Sequence, residues 1–408
     1  MEMLKDIKFN NTFVFQGLEK YFGLDCEYSY EDKNDPYIVL FVTDECNLDC
    51  KYCFCKNSTS IKNHVPKYSY QDLVEFLNVN NFDNGTIRFF GGEPLLNKKW
   101  IFGCIQYIKQ KGLNFKYNIF TNATLIDKNF IELCKKEDVI LFLSIEPNIA
   151  ISSRIDKEGN NIYNIVCENI KILKENNYLN KCIIRAVYDI DKSMDLFEFA
   201  KQIIDLGFPM ISITIPWTTK GTNIILNDEK LLIFREQLEQ FVKHYIENIF
   251  NRNFKYIGIH PFCSYINSWF SDDVYLDINS CGAGKDLYSI STDGNIYPCH
   301  SFNGIESFIE GNIKSKDKVR RIFDDISALN IDNCTNCILK YTCRSRCLAD
   351  SYYYNGSIVK PNLYKCFIEK EIVAASAHIY QNIKKHTKLL NVYKRLVSRG
   401  SNYYGGNN

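Results

Sequence analysis

The sequence lacks the marks of several common protein classes. None of its 408 residues belongs to an apolar run approaching the roughly 18 residues that a membrane span requires. The opening stretch MEMLKDIKFNN has no apolar segment of the kind that directs secretion. Charge of one sign is not in excess: 49 lysines and arginines face 48 aspartates and glutamates, so nothing favours nucleic acid or an acidic surface as a partner. Internal repeats are missing, and so are low-complexity tracts apart from the closing NYYGGNN. The one basic concentration, at Lys384, Lys385, Lys388, Lys394, Arg395 and Arg399, reads as the solvated face of a helix. These absences leave a globular protein, expected in the cytoplasm, with neither membrane nor nucleic acid as a partner.

What the chain has instead is cysteine, seventeen of them. In a reducing compartment that many thiols point to metal rather than to disulfides. The cysteines fall into a front cluster, a rear series and a scattered remainder. Cys26, Cys104, Cys134, Cys167 and Cys182 lie mostly on apolar faces and read as small buried hydrophobes.

Between residues 37 and 250, β-branched and aromatic runs alternate with helical patterns. The spacing predicts strands over 37–43, 86–91, 116–122, 139–145, 182–188 and 210–217. It predicts helices near 69–79, 98–111, 127–137, 163–176, 192–206 and 226–250. Six strand–helix repeats with nearly continuous apolar strands mean an α/β fold with a parallel sheet covered by helices, either an open doubly wound sheet or a partial barrel. Both place ligands at the C-terminal ends of the strands. Residues 1–36 read as a short segment with a possible hairpin, and 251–370 as a small cysteine-rich domain built around metal rather than a core. A final helix over 366–396, with 371–408 as its segment, packs back on the body.

The front cluster, ECNLDCKYCFC, directly follows the first strand. Structural zinc sites pair a short Cys-x2–4-Cys step with a second pair elsewhere, giving four ligands. Cys46, Cys50 and Cys53, spaced Cys-x3-Cys-x2-Cys on one loop, suit instead a 4Fe–4S cube with one iron left open. Cys55 is a candidate fourth ligand, although a Cys-x-Cys step crowds a cube. GGEP follows the second strand at Gly91, Gly92, Glu93 and Pro94, and reads either as a turn or as part of the same site.

CNLDCKYC followed by GGEPLL resembles the radical S-adenosylmethionine (SAM) enzymes, over roughly residues 37–250. The resemblance implies a partial (β/α)6 TIM-like barrel. It implies that Cys46, Cys50 and Cys53 hold a 4Fe–4S cluster whose open iron is chelated by SAM, and that electron transfer cleaves SAM to a 5′-deoxyadenosyl radical, which abstracts a hydrogen atom. By the same resemblance the Tyr52 backbone contacts adenine, and Gly91 and Gly92 let the backbone approach SAM. Glu93, beside Pro94, takes the methionine ammonium. Asn122 supplies the polar contact that ends the third strand. Ser144 and Arg154, the latter in RIDKEGNNIYNIV, meet the ribose and carboxylate. The chain reads SIEP where the family often has SLDG.

The rear series runs Cys281, Cys299, Cys334, Cys337, Cys343, Cys347 and Cys366, with Gly294 five residues before Cys299. Seven cysteines are too many for one tetrahedral site and one short of two four-cysteine sites. A zinc ribbon from Cys334, Cys337, Cys343 and Cys347 leaves the other three unexplained. The spacing resembles the SPASM extension of radical SAM enzymes, over roughly 256–370. That implies two auxiliary 4Fe–4S clusters, and so three clusters in all. The first would be held by Cys281, Cys299 and Cys347, with Cys263 as candidate fourth ligand or one iron open. The second would be held by Cys334, Cys337, Cys343 and Cys366.

SPASM enzymes mostly modify peptides or proteins. The stretch YPCHSFNGIESFIEGNI resembles maturases of ribosomally made peptides, which form thioether or carbon–carbon crosslinks on a precursor. Sulfatase-maturing enzymes, which make formylglycine, carry an Asp directly after the second cysteine as general base; this chain has His300 there, either a proton acceptor or a plain hydrogen-bonding residue. A non-enzymatic metal scaffold is a further alternative. The implied partners are a precursor peptide and an electron donor such as flavodoxin or ferredoxin. With 45 residues before Cys46, too few for the usual leader-binding module, a separate leader-binding protein or the N-terminal hairpin is expected to grip the leader.

Overall fold

The computed structural model describes residues 18, 35–50, 53, 55, 63–148, 154–190, 194–215, 226–270 and 281–401. The possible N-terminal hairpin, Cys26 and Tyr52 lie outside the described residues. Seven parallel strands run in consecutive order: β1 (Tyr37–Phe41), β2 (Asn84–Phe90), β3 (Asn114–Thr121), β4 (Val139–Ser144), β5 (Cys182–Val187), β6 (Met210–Thr214) and β7 (Ile259–His260). Consecutive order is the arrangement of a barrel; a doubly wound sheet would reverse at a switch point. The connecting helices are α1 (Tyr70–Val79), α2 (Lys98–Gln110), α3 (Lys128–Glu137), α4 (Tyr163–Glu175), α5 (Leu196–Asp205) and α6 (Asp228–Phe250). A capping box starts α1, where Ser69 Oγ accepts from Asp72 N–H (3.1 Å) while Asp72 Oδ2 accepts from Ser69 N–H (2.7 Å).

The strands have two different faces, because alternate residues point to opposite sides of a sheet. Ile38, Leu40, Ile87, Phe89, Ile119, Leu141, Ile184 and Ile211 turn outward and form one continuous core with the helices. The other face looks into the barrel and is aromatic and polar. Phe120 stacks on Phe142 at 4.3 Å, and Phe90 meets Phe41 at 5.3 Å. Arg88 and Asn118 sit on this face in direct register across β2 and β3.

The cysteine-rich segment is joined to the barrel sheet. β8 (Leu287–Ile290) pairs in parallel with β1, and β9 (Asn295–Tyr297) and β10 (Gly311–Asn312) continue antiparallel beyond it, making ten strands. The β8–β9 hairpin turns at Asp293-Gly294, with Gly294 at φ +92°. The same region also has a small core of its own, contrary to the sequence reading: Phe302 packs on Phe308 (4.3 Å), Phe323 (5.4 Å) and Tyr352 (6.1 Å). Helices α7 (Phe262–Ser268) and α8 (Leu348–Asn355) lie within this part of the chain. The single terminal helix expected over 366–396 is two helices, α9 (Leu363–Lys384) and α10 (Thr387–Ser401). A tight turn separates them, closed by a bond from His386 N–H to Ile383 O.

Candidate functional site

The C-terminal ends of β1 to β4 form one rim, and the front cysteine loop is tied down onto it by backbone. Gly92 N–H donates to Thr43 O (2.9 Å), and Glu93 N–H donates to Glu45 O (2.7 Å). A Cβ on Gly91, which sits at φ +143°, would stand 2.2 Å from Thr43 O. One on Gly92 would stand 2.0 Å from Glu45 O and 2.9 Å from Cys46 N. Both glycines are therefore required by the cysteine loop itself, a nearer constraint than the approach of a cofactor. On its other side the loop is held by the bridge between Leu48 and Asp156, and by a bond from Asp49 N–H to Ile155 O (2.8 Å).

Glu93 is 1% exposed. Its Oε1 accepts from Leu95 N–H (3.0 Å) and the Thr121 hydroxyl (2.7 Å), and its Oε2 accepts from Asn122 N–H (2.8 Å). Burial raises its pKa, while these donors and Arg154 pull the other way. The carboxylate braces the β2 rim against the end of β3 and caps the turn Pro94–Asn97, in which Pro94 is the first residue. Asn122 is anchored beside the cysteines. Its Nδ2 donates to Asn47 Oδ1 (2.9 Å) and lies 3.9 Å from Cys46 Sγ, while its Oδ1 accepts from the Thr124 amide (3.0 Å) and hydroxyl (2.6 Å). Asn47 and Thr124 close this network through a 2.8 Å bond. Neither was singled out from sequence; an Asn directly after the first cluster cysteine was the available signal. Arg154 pairs with buried Glu146 (3.3 Å), and half-buried Ser144 ends β4 in register with Arg185.

The thiols gather in three groups. Burial, with smaller contributions from neighbouring Glu93, Cys50 and Cys53, raises Cys46 to about 11. The thiol of Cys55 is hydrogen-bonded with Cys53, so the loop brings four thiols together. In the second group, burial and Cys281 raise Cys299 to about 12, and burial, then Cys281, Asp350 and Cys299, raise Cys347. In the third, burial and then Cys334 and Cys337 raise Cys366 to about 12, and Cys343 is raised by burial, Glu369 and Cys366. Cys263, the candidate fourth ligand of the second group, lies on α7. It is buried there near Arg344 and alongside Tyr245 and Tyr393, with its pKa raised by burial to about 12.

Three or four thiols per group are the donor set that an iron–sulfur cluster uses. Among the described residues no three His, Cys, Asp or Glu side chains converge closely enough to share one ion. The thiolates of a cube bind different irons and need only gather around it. Each group also has a backbone N–H aimed at a sulfur: Leu48 on Cys46, Asp350 on Cys347 and Leu339 on Cys337, all at 3.4 Å. Such bonds stabilise metal-bound thiolate. His300 follows Cys299 and rests on the Phe90 ring at 5.3 Å. Burial, reinforced by Arg88 and Arg185, pushes its imidazole down to about 3, so it is neutral near pH 7 and a weak proton acceptor.

Residues 40–215 match the family model described as the Radical SAM superfamily. The radical SAM cyclopropyl synthase TigE of Paramaledivibacter caminithermalis is 24% identical over 86% of this chain and 75% of its own length. A cysteine-type anaerobic sulfatase-maturating enzyme of Clostridium novyi is 26% identical over 83% of this chain and 96% of its own. Among solved structures, anSMEcpe with bound AdoMet superposes with a TM-score of 0.70 at 18% identity, covering 91% of this chain and 99% of that one. SuiB of Streptococcus suis bound to precursor peptide SuiA superposes at 0.52 and 17% identity, over 86% of each chain. No helix among the described residues is long and apolar enough to cross a membrane.

Proposed function

The chain belongs to the radical SAM superfamily, and we propose that it is a peptide maturase carrying three 4Fe–4S clusters. Membership brings one such cluster together with SAM. When bound and reduced, that pair supplies the chemistry of hydrogen-atom abstraction from a substrate carbon. Cys46, Cys50 and Cys53 would hold the cluster at the rim. Gly91 and Gly92 seat their loop, Glu93 fixes the ends of β2 and β3 beneath it, and Asn122 holds Asn47 against Cys46. Tyr52, Ser144 and Arg154 remain the proposed contacts to adenine, ribose and carboxylate.

A single observation carries the reading beyond the family: the rear cysteines assemble as two groups with crossed connectivity, Cys281, Cys299 and Cys347 in one, and Cys334, Cys337, Cys343 and Cys366 in the other. Each would hold an auxiliary cluster, and the crossing ties 281–366 into one unit. Cys263 would complete the first group, or one iron there would be left open to the substrate. The substrate is a precursor peptide in which a thioether or carbon–carbon crosslink is formed. SuiB, a neighbour by fold, is bound to the precursor peptide SuiA. A flavodoxin or ferredoxin would deliver electrons.

Co-expression with a candidate precursor peptide tests this. A mass loss of about two hydrogens per crosslink, with 5′-deoxyadenosine released under dithionite, is the expected result. An unmodified peptide alongside formylglycine in a sulfatase Cys or Ser peptide would instead establish the second reading, protein maturation of the kind that names the Clostridium novyi relative.

A further inference from the structure

Among the described residues no carboxylate lies within ion-pair distance of Arg88, which faces into the barrel. Arg88 lies on the inward face of β2, three residues before Gly91, and so about 10 Å below the rim at roughly 3.3 Å per residue. Its guanidinium is held flat between two rings, 4.2 Å from the centroid of Phe120 and 4.4 Å from that of Tyr37. Stacking occupies both faces and leaves the donor-bearing edge to act. Of five N–H donors, one reaches the Tyr37 hydroxyl, while the Nε donor is buried without an acceptor. Asn118, across the strand pair and 6% exposed, donates to the same tyrosine (3.1 Å) and leaves its own Oδ1 unpartnered. That amide oxygen can take up a donor of Arg88 but cannot neutralise a charge. Arg185, on the same inward face at β5, adds a second positive charge and donates to Ser212 Oγ (2.9 Å). A guanidinium between aromatic rings, with its buried Nε donor unpartnered and no carboxylate among the described residues beside it, is costly unless something anionic completes it.

We propose that Arg88 is the centre of a carboxylate-binding subsite inside the barrel, with Asn118 and Arg185 around it, and that the substrate peptide presents an acidic group there. The proposal rests on the peptide-maturase reading and names the chemistry of its substrate. The carboxylate is an Asp or Glu side chain, or a peptide C-terminus, lying below the rim where SAM sits.

Saturation-transfer NMR on the iron-loaded chain tests this with four probes: acetyl-Ala-Glu-Ala-amide, its Asp and Gln counterparts, and acetyl-Ala-Ala-Ala with a free C-terminus. The Glu or Asp probe, or the free C-terminus, is expected to bind about tenfold or more tightly than the Gln probe, as for loss of a charged hydrogen-bonded pair. Which of them binds identifies the source of the carboxylate. Arg88→Gln should abolish the preference, and Arg88→Lys should recover only part of it, since it keeps the charge but not the fork. Equal binding of Glu and Gln probes, or a preference that survives Arg88→Gln in a variant with unchanged thermal melting, would overturn the proposal. Displacement of the acidic probe by SAM would assign Arg88 to the cofactor's own carboxylate and overturn it equally. Binding requires no SAM cleavage, so failure of the unmodified chain to release 5′-deoxyadenosine counts against the maturase reading alone.

Discussion

The front and rear cysteines are held by different means. Cys46, Cys50 and Cys53 hang from a rim that large packed strands and helices already define. The loop is fixed by Thr43, Glu45, Gly91, Gly92 and Asp156 before any metal is considered. The rear seven sit on short turns around a core of a few rings centred on Phe302. In the first region the fold positions the thiols; in the second the thiols, once bridged, position the fold. The difference teaches that the same ligand chemistry can be installed on a finished scaffold or used to complete an unfinished one.

Removing iron should separate the regions most strongly. Chelation is expected to raise amide exchange across 281–366 by at least about a hundredfold, while β2 to β5 hold their protection, since bound metal contributes folding free energy only where it organises the chain. Uniform exchange in both regions would break the comparison. Next in size, Gly92→Ala forces a carbon 2.0 Å from Glu45 O. It should cost about 3 kcal/mol or more, and the front cluster's iron, while leaving the rear iron in place. Iron analysis with electron paramagnetic resonance checks it.

A third test sharpens the rear region's side. Glu310 is fully buried there, and burial raises its pKa from 4.5 to about 7. A carboxyl whose folded pKa is raised holds its proton longer than in the unfolded chain, so its stability contribution is complete below pH 4.5 and lost as pH rises to about 7. Unfolding of the wild type should therefore become easier by up to about 3 kcal/mol across that window, and Glu310→Gln should flatten the slope. Denaturation between pH 5.5 and 7 measures it. The smallest effect is at the front: Asn47→Ala breaks the bonds to Asn122 and Thr124 and should lower stability by only about 1 kcal/mol, because the backbone ties remain. A thermal melt of the variant reads this directly.

Legibility from sequence follows the same division. Six of the barrel strands were readable because each is an apolar run between amphipathic helices; their order, which separates a barrel from a doubly wound sheet, and the two-residue β7 were not. The front cysteines and GGEP were readable because their spacing is local. What escaped depends on partners far apart in the chain. β8 and β9 are too short to show a period, and only Asp293-Gly294 marks their hairpin. The Asn47–Thr124 bond spans 77 residues, and nothing local announces it. The reason for Gly91 and Gly92 lay in the cysteine loop opposite them. Cys263 drew attention by its place eighteen residues before Cys281, and its setting on α7 beside Tyr245 and Tyr393 was not legible.

The central claim, that three thiol groups hold three clusters, is tested most directly by iron and sulfide analysis of anaerobically prepared protein. About twelve of each per chain are expected, falling to about eight when Cys46, Cys50 and Cys53 are all replaced by Ala and to about four when the seven rear cysteines are replaced. A content of about four iron in the unmodified chain, or zinc in place of iron, would contradict it.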